Sequence, residues 1–462
     1  MKKNWFKFLI IALSLITLSS CLWEDEETVL SSDPTFISLK FGTNDSIPAL
    51  QYANFTLVYD SLLKDSIIVN LDSLPYQTRI DSVFPTFTFR STFFSQIILF
   101  DSLGTGLDTI AITGKDTIDF TRVVKVRNIA ADQKAERTYP VKVNVHQVEP
   151  ELYVWKKLRD QIYTHPGSMQ KVVYFKNQYL FFAGSGLFNF LYVSSDATNW
   201  AAATLSGMPA GLNLRNITEF NNTLFLIDES GDILSSTDGR NWNRHVGVVP
   251  GHKFISILFG LEGNLWAVVR NDITKQVHFA LSSNGLAWSV QVQIPTSFPI
   301  GDFASLSFKS RTNKPKALVL GGFDVDGKLL AKSWSVERNV FGVYRWVDFS
   351  LENSTLASLS GAMLVPYDNK LFLFGGSDAD DQVIGTAFME SIDEGLTWRS
   401  VDTTYNKIAD VAGGFTYEPR SNQSVILDEA DKRIYLFGGR TRHKVFSDVW
   451  TGKLNRMSFA IQ

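Results

Sequence analysis

The chain carries one cysteine, Cys21, in 462 residues. A lone thiol excludes a disulfide framework and any metal site built from cysteines. Histidine is nearly as sparse. His146, His165, His245, His252, His278 and His443 are scattered, with no pair at metal-ligand spacing. A dominant charge is missing too: 44 Lys and Arg stand against 47 Asp and Glu, a net charge of −3, so no nucleic-acid surface is expected. There is no Gly-x-Ser-x-Gly elbow and no Walker loop, and no cofactor is implied. The apolar run at residues 8–18 is too short to cross a bilayer as a stable helix.

That short run has its own meaning. Lys2, Lys3 and Lys7 precede it and Leu18-Ser19-Ser20-Cys21 follows, the layout of a secretory leader with its processing site. Leu-Ser-Ser-Cys resembles the bacterial lipoprotein lipobox. The resemblance implies that residues 1–20 are a signal peptide and that Cys21 becomes a lipidated first residue, partnering the membrane. Residues 21–32 form an acidic linker, Leu22-Trp23-Glu24-Asp25-Glu26-Glu27. Its position and charge are similar to the surface-export signal of Bacteroidetes-type lipoproteins, and a solvated linker is the plainer reading. An outer-membrane lipoprotein exposed at the cell surface is expected, with a periplasm-facing orientation as the alternative.

Tryptophans organise the last two thirds of the chain. Trp155, Trp200, Trp242, Trp288, Trp346 and Trp398 are spaced by 45, 42, 46, 58 and 52 residues. Most end a common turn, such as Ser235-Ser236-Thr237-Asp238-Gly239-Arg240-Asn241-Trp242 and Ser391-Ile392-Asp393-Glu394-Gly395-Leu396-Thr397-Trp398. In this turn Ser and Asp accept backbone N–H groups and Gly takes positive φ. Ala197 replaces Gly in one copy, and Asn284 replaces Asp in another. Paired strand signals precede each copy, linked by polar turns such as Asp368-Asn369-Lys370. A period of 40–50 residues with this content predicts a six-bladed β-propeller over residues 150–462. Residues 152–158 read as an outer strand without a blade, which closes the ring on a C-terminal blade that lacks one.

The fourth complete turn resembles the Asp-box of sialidase-like propellers, where it is a folding element. Leu320-Gly321-Gly322, Phe374-Gly375-Gly376, Phe437-Gly438-Gly439 and Ser447-Asp448-Val449-Trp450 resemble kelch repeats. A sialidase also needs an arginine triad, a Tyr nucleophile with a Glu partner, and an early Arg-Ile-Pro. No Arg-Ile-Pro occurs here, and Tyr417-Glu418 beside Arg420 is a weak echo whose adjacent side chains point to opposite faces of a strand.

Residues 33–149 alternate Val, Ile, Phe and Thr without a helical period, as in 55–59, 66–69, 86–89 and 96–99. This predicts an all-β sandwich ahead of the propeller. Its segment 70–76 and last strand resemble Ig-like or cadherin-like modules. Eight tripeptides here read Asp-(Ser/Thr)-aliphatic and place Ser46, Ser61, Ser66, Ser73, Ser82, Ser102, Thr109 and Thr117 after Asp. They are similar to Bacteroidetes O-glycosylation acceptors. Turn chemistry followed by a strand start accounts for each copy equally well.

No catalytic constellation and no metal site is recognisable. Asp324-Val325-Asp326-Gly327 and Asp378-Ala379-Asp380-Asp381 read as solvated turns ahead of cation loops. The sequence therefore implies a non-enzymatic binding protein for a glycan or protein, with a glycoside hydrolase and a structural envelope component as alternatives. Loops converging on one face of a rigid ring carry function. The expected contacts there are Arg215, Arg270, Arg440 and Arg442, with Tyr163 and Tyr405 as stacking rings.

Overall fold

A computed structural model describes residues 29–42, 45–62, 64–101, 104–149, 152–163, 167, 169–349, 356–384, 388–401 and 407–455. Cys21, Ser102 and Tyr405 lie outside the described residues. The chain forms two compact units, one up to Glu149 and one over Pro150–Ser458. Both are built from strands.

In the first unit a six-stranded sheet runs in the order Phe55–Asp60, Asp65–Asn70, Glu136–Lys142, Val123–Ile129, Phe94–Phe100, Gly106–Ala111. A second sheet pairs Phe36–Phe41 with Pro85–Phe89. Apolar residues of both sheets share one core, among them Phe36, Leu39, Phe55, Ile68, Ile97, Val126 and Tyr139. Alternation puts every second residue inward, as the sequence pattern requires. One pairing is parallel, Ile68 opposite Val141. It is held at its end by Asn70, fully buried, whose amide bonds Asp72 O, Asn144 O and Asn144 N.

Three strands of this unit, Phe36–Phe41, Gly106–Ala111 and Val123–Ile129, escaped the sequence reading. Gly106–Ala111 is an edge strand, almost wholly exposed, so its alternation is masked by polar residues. Thr109 therefore sits within a strand rather than at the start of one, a correction to the turn reading of that tripeptide. The pattern holds at Leu74, Val83 and Ile118, whose aliphatic side chains are buried just after an Asp-Ser or Asp-Thr pair.

The second unit is a ring of six four-stranded antiparallel sheets. Blade 1 comprises Met169–Phe175, Gln178–Gly184, Asn189–Ser194 and Ala201–Ala203. Blades 2 to 5 start with inner strands Thr218–Phe220, His252–Leu261, Ala304–Lys309 and Met363–Tyr367. Blade 6 runs Ser424–Asp428, Arg433–Arg440, Val445–Leu454 and then Tyr153–Arg159. The expected closure is present: Trp155 lies opposite Gly452, and the outer strand of the last blade comes from the start of the unit. Trp155 is 3% exposed and packs on Phe374 and Phe388 of blade 5.

The tryptophan-ended turns join the third and fourth strands of their blades. Asp196 Oδ1 accepts the N–H groups of Thr198 and Asn199 at 2.9 and 2.8 Å, and Trp200 Nε1 donates to Ala197 O. Asn284 does the same work through its own Oδ1, at 2.9 and 2.8 Å to Leu286 and Ala287. An amide oxygen thus replaces the carboxylate without loss of the turn. Gly285 has φ +77°, and a Cβ there would lie 2.1 Å from Phe225 Cζ. Where present, these turns pack a blade against the preceding one, as Gly239 on Leu180 and Gly395 on Leu318 also show.

Candidate functional site

Chemistry gathers where the inner strands begin. A cavity of about 90 Å³ opens on the axis of the ring and takes residues from all six blades. Blade 1 supplies Gln170 and Lys171, the entry to blade 2 Arg215 and Asn216 with Thr218, and blade 3 Ile257. Asp302, Phe303 and Ser305 belong to blade 4, the segment from Gly361 to Met363 to blade 5, and Asn422, Gln423 and Ser424 to blade 6. Apart from Ile257, which is in the middle of His252–Leu261, each stands at or near the end of its inner strand where the entry loop arrives. This is the face on which the entry loops and the loops between second and third strands both open.

Arg215 is set by a short 3-10 turn, Leu214–Asn216, capped by Asn213 Oδ1, which accepts Arg215 N at 3.2 Å. Its guanidinium donates to Asn422 Oδ1 at 2.5 Å and pairs with Asp302 at 3.1 Å. Burial holds its pKa below the usual guanidinium value, against the pull of Asp302. Arg440, at the end of the second strand of blade 6, binds Asp381 in a two-pronged pair at 2.8 and 3.0 Å. Lys171 differs from both. No hydrogen bond or ion pair to its amine occurs among the described residues, and burial, aided by Arg215, pushes its pKa down to about 8. Charge in the cavity wall thus sums from Lys171, Arg215 and Asp302 to one uncompensated cation.

Arg215 and Arg440 come close enough to influence each other. Arg270 ends the second strand of blade 3, exposed and outside the cavity wall. Arg442 is exposed in the turn before Val445–Leu454, also outside it. Tyr163 requires a correction. It is 6% exposed, stacked on Tyr192 and set edge-on to Phe181, so its faces are occupied by protein. Its hydroxyl accepts Gln170 Nε2 at 2.6 Å, and Gln170 also bonds Phe446 O and Gly439 N. That bridge ties blade 1 to blade 6. Gly438, with φ +55°, leaves the space: a Cβ there would lie 2.1 Å from Gln170 Oε1.

The Tyr417–Arg420 segment is likewise committed to the interior. Arg420 is 2% exposed, lies between the Tyr417 and Phe446 rings, and pairs with Asp448 at 2.5 Å. Asp448 in turn accepts Trp450 Nε1 at 2.9 Å. The Tyr417 hydroxyl donates to Gln423, and burial pushes its pKa well above the usual phenol value. The acidic loops at Asp324 and Asp378 are self-closed turns. Asp324 Oδ1 accepts N–H groups of Asp326 and Lys328, and Asp378 Oδ1 those of Asp380 and Gln382. Among the described residues no group of three or more His, Cys, Asp or Glu is placed to hold a metal ion.

Sequence reasoning missed Lys171, Asp302, Asp381, Asn422 and Gln423. One signal was available for Lys171: a charged residue within an inner strand, directly before its apolar run 172–175, is rare unless it faces a channel. The others sit at strand entries, where no periodicity marks them.

Residues 149–462 match the DUF6242 β-propeller domain, and residues 38–143 match the DUF6242 N-terminal domain. The chain belongs to the DUF6242 family. No curated protein matches it. Among solved structures it is similar to that of YjhT, at 11% identity and TM-score 0.45, covering 63% of this chain and 96% of that one. It is also similar to a xylan β-1,4-xylosidase from Bacillus halodurans C-125, at 11% identity and TM-score 0.34, covering 65% and 55%. A streptogramin B lyase matches at 9% identity and TM-score 0.36, covering 67% and 100%.

Proposed function

We propose that this DUF6242 protein is an exported, lipid-anchored binding protein that takes a glycan or protein ligand at the axial mouth of its propeller. One observation carries the reading. All six blades contribute to one polar cavity, and that cavity holds a half-buried arginine and a lysine unpaired among the described residues. Charge drawn part-way out of water is costly, so its retention at a rigid, convergent mouth points to a ligand. The enzyme alternative gains no support from Tyr417 and Arg420, whose polar atoms are bound within the protein. The envelope-component alternative offers no reason to keep Lys171 unpaired.

Anchoring through Cys21 and the Ig-like kinship of the first unit belong to the same proposal. So does O-glycosylation, for which Ser46, Ser61, Ser82, Thr109 and Thr117 are exposed, while Ser66 and Ser73 are half-buried. The test is a binding screen of the full chain against glycan and envelope-protein arrays, repeated with Arg215→Gln combined with Arg440→Ala. The double variant should weaken any ligand more than tenfold, about 1.4 kcal/mol. Unchanged affinity would remove the mouth from the function.

A further inference from the structure

Lys171 is a group of the cavity whose chemistry is left open. Arg215 has Asp302 and Asn422, and Arg440 has Asp381. Lys171 has a cation for a neighbour and, among the described residues, no acid. A second group in the same wall is also incomplete. Gln423 is 2% exposed, and its Nε2 is buried without an acceptor, while its Oε1 takes the Tyr417 hydroxyl. A buried donor left unsatisfied is costly, so Gln423 is short of an acceptor oxygen, and Lys171 has none among the described residues. The rest of the wall offers no anion to meet them. Among the described residues Asp302 is its only carboxylate, and it is bound by Arg215.

We infer that the cavity receives a carboxylate monoanion, held by the Lys171 amine with Arg215 beside it. This rests on the binding role proposed above and specifies the ligand's chemistry. The charge count favours one negative charge over two, because a single cation is in excess. The small volume favours a carboxylate entering as one group of a ligand whose remainder lies outside, over the loop face. Such an anion relieves the repulsion between Lys171 and Arg215 and offers its second oxygen to a neutral donor. Carboxylates from sugar acids and from acylated amino acids share this chemistry, and the two sources separate in the assay.

Binding has a defined pH sense. The anion needs the protonated amine, so affinity is full well below pH 8 and falls as pH rises through the amine's value of about 8. The experiment is the thermal midpoint of the full chain titrated with sodium glucuronate, with N-acetylglycinate, and with neutral methyl glucoside, at matched ionic strength. At least one carboxylate should raise the midpoint in a saturable way and methyl glucoside should not. Whichever acid acts at lower concentration identifies the source. Lys171→Met should raise the apparent dissociation constant at least about tenfold, and Lys171→Arg should keep most of the effect. The wild-type effect should fade at about pH 10, where an amine of this kind is neutral.

No saturable shift with either acid overturns the inference, as does an equal shift in Lys171→Met. Folding of that variant is checked by its own midpoint without ligand, which should not fall, since the substitution removes a desolvated charge. A collapse of that midpoint would mean that Lys171 is structural, and would also overturn the inference. An array ligand retained by Lys171→Met but lost with Arg215→Gln and Arg440→Ala would leave the binding role standing and reject the carboxylate.

Discussion

Two residues show how buried and exposed acids serve this ring in different ways. Asp448 is buried against Arg420 and Trp450, with both of its oxygens used. Removing one member of such a pair leaves an uncompensated charge in the interior, which costs about 3–5 kcal/mol. Asp448→Ala should therefore lower stability by roughly that amount in chemical denaturation, and a loss under 1 kcal/mol would mean that water reaches Arg420. Asp196 is exposed and acts through geometry. The N–H groups of Asn199 and Thr198 hold its carboxyl well below the usual carboxylate range. A depressed folded value gives stability that is present above about pH 4, the unfolded value, and lost as pH falls through the folded one. Asn284 shows that an amide fills the same role. Asp196→Asn should accordingly melt close to wild type at neutral pH with a flatter acid limb. Asp196→Ala should melt lower throughout. Equal melting of the two variants would show that the turn does not depend on the acceptor.

At the scale of the element, the outer strand of blade 6 is the test piece. Tyr153–Arg159 joins a partner almost three hundred residues later in the chain, Val445–Leu454. Without it the last blade has an open edge and the ring has no seal, so the loss is felt by the whole unit. Trp155 carries much of the contact, and truncating a buried tryptophan costs about 3–5 kcal/mol. Trp155→Ala should lower the melting temperature by roughly 10 °C, and deletion of residues 153–159 by more. A normal melting curve for the deletion would contradict closure by this strand.

For the whole molecule, the ring was legible because its signals repeat. Tryptophan turns, paired strands and Gly-Gly ends recur at one period, and even the missing outer strand could be placed by counting. The site was legible only in part. Of the arginines expected at the mouth, Arg215 lines the cavity and Arg440 is paired with Asp381 outside its wall, whereas Tyr163, expected as a free ring, seals blade 1 to blade 6. A tyrosine just before a strand reads the same in sequence whether it faces solvent or a seam. Lys171 was hidden because inner-strand residues are read as core, and only the closed ring reveals an axial channel beside them.

The most direct test of a mouth-facing site is hydrogen exchange of the full chain, with and without a ligand from the array screen. Binding at the axial mouth should slow exchange in residues 169–171, 215–218 and 420–424, which come from three blades distant in sequence. Slowing at residues 196–199, 238–241 and 393–397 instead, with the strand entries unchanged, would place the ligand among the tryptophan turns and contradict the account.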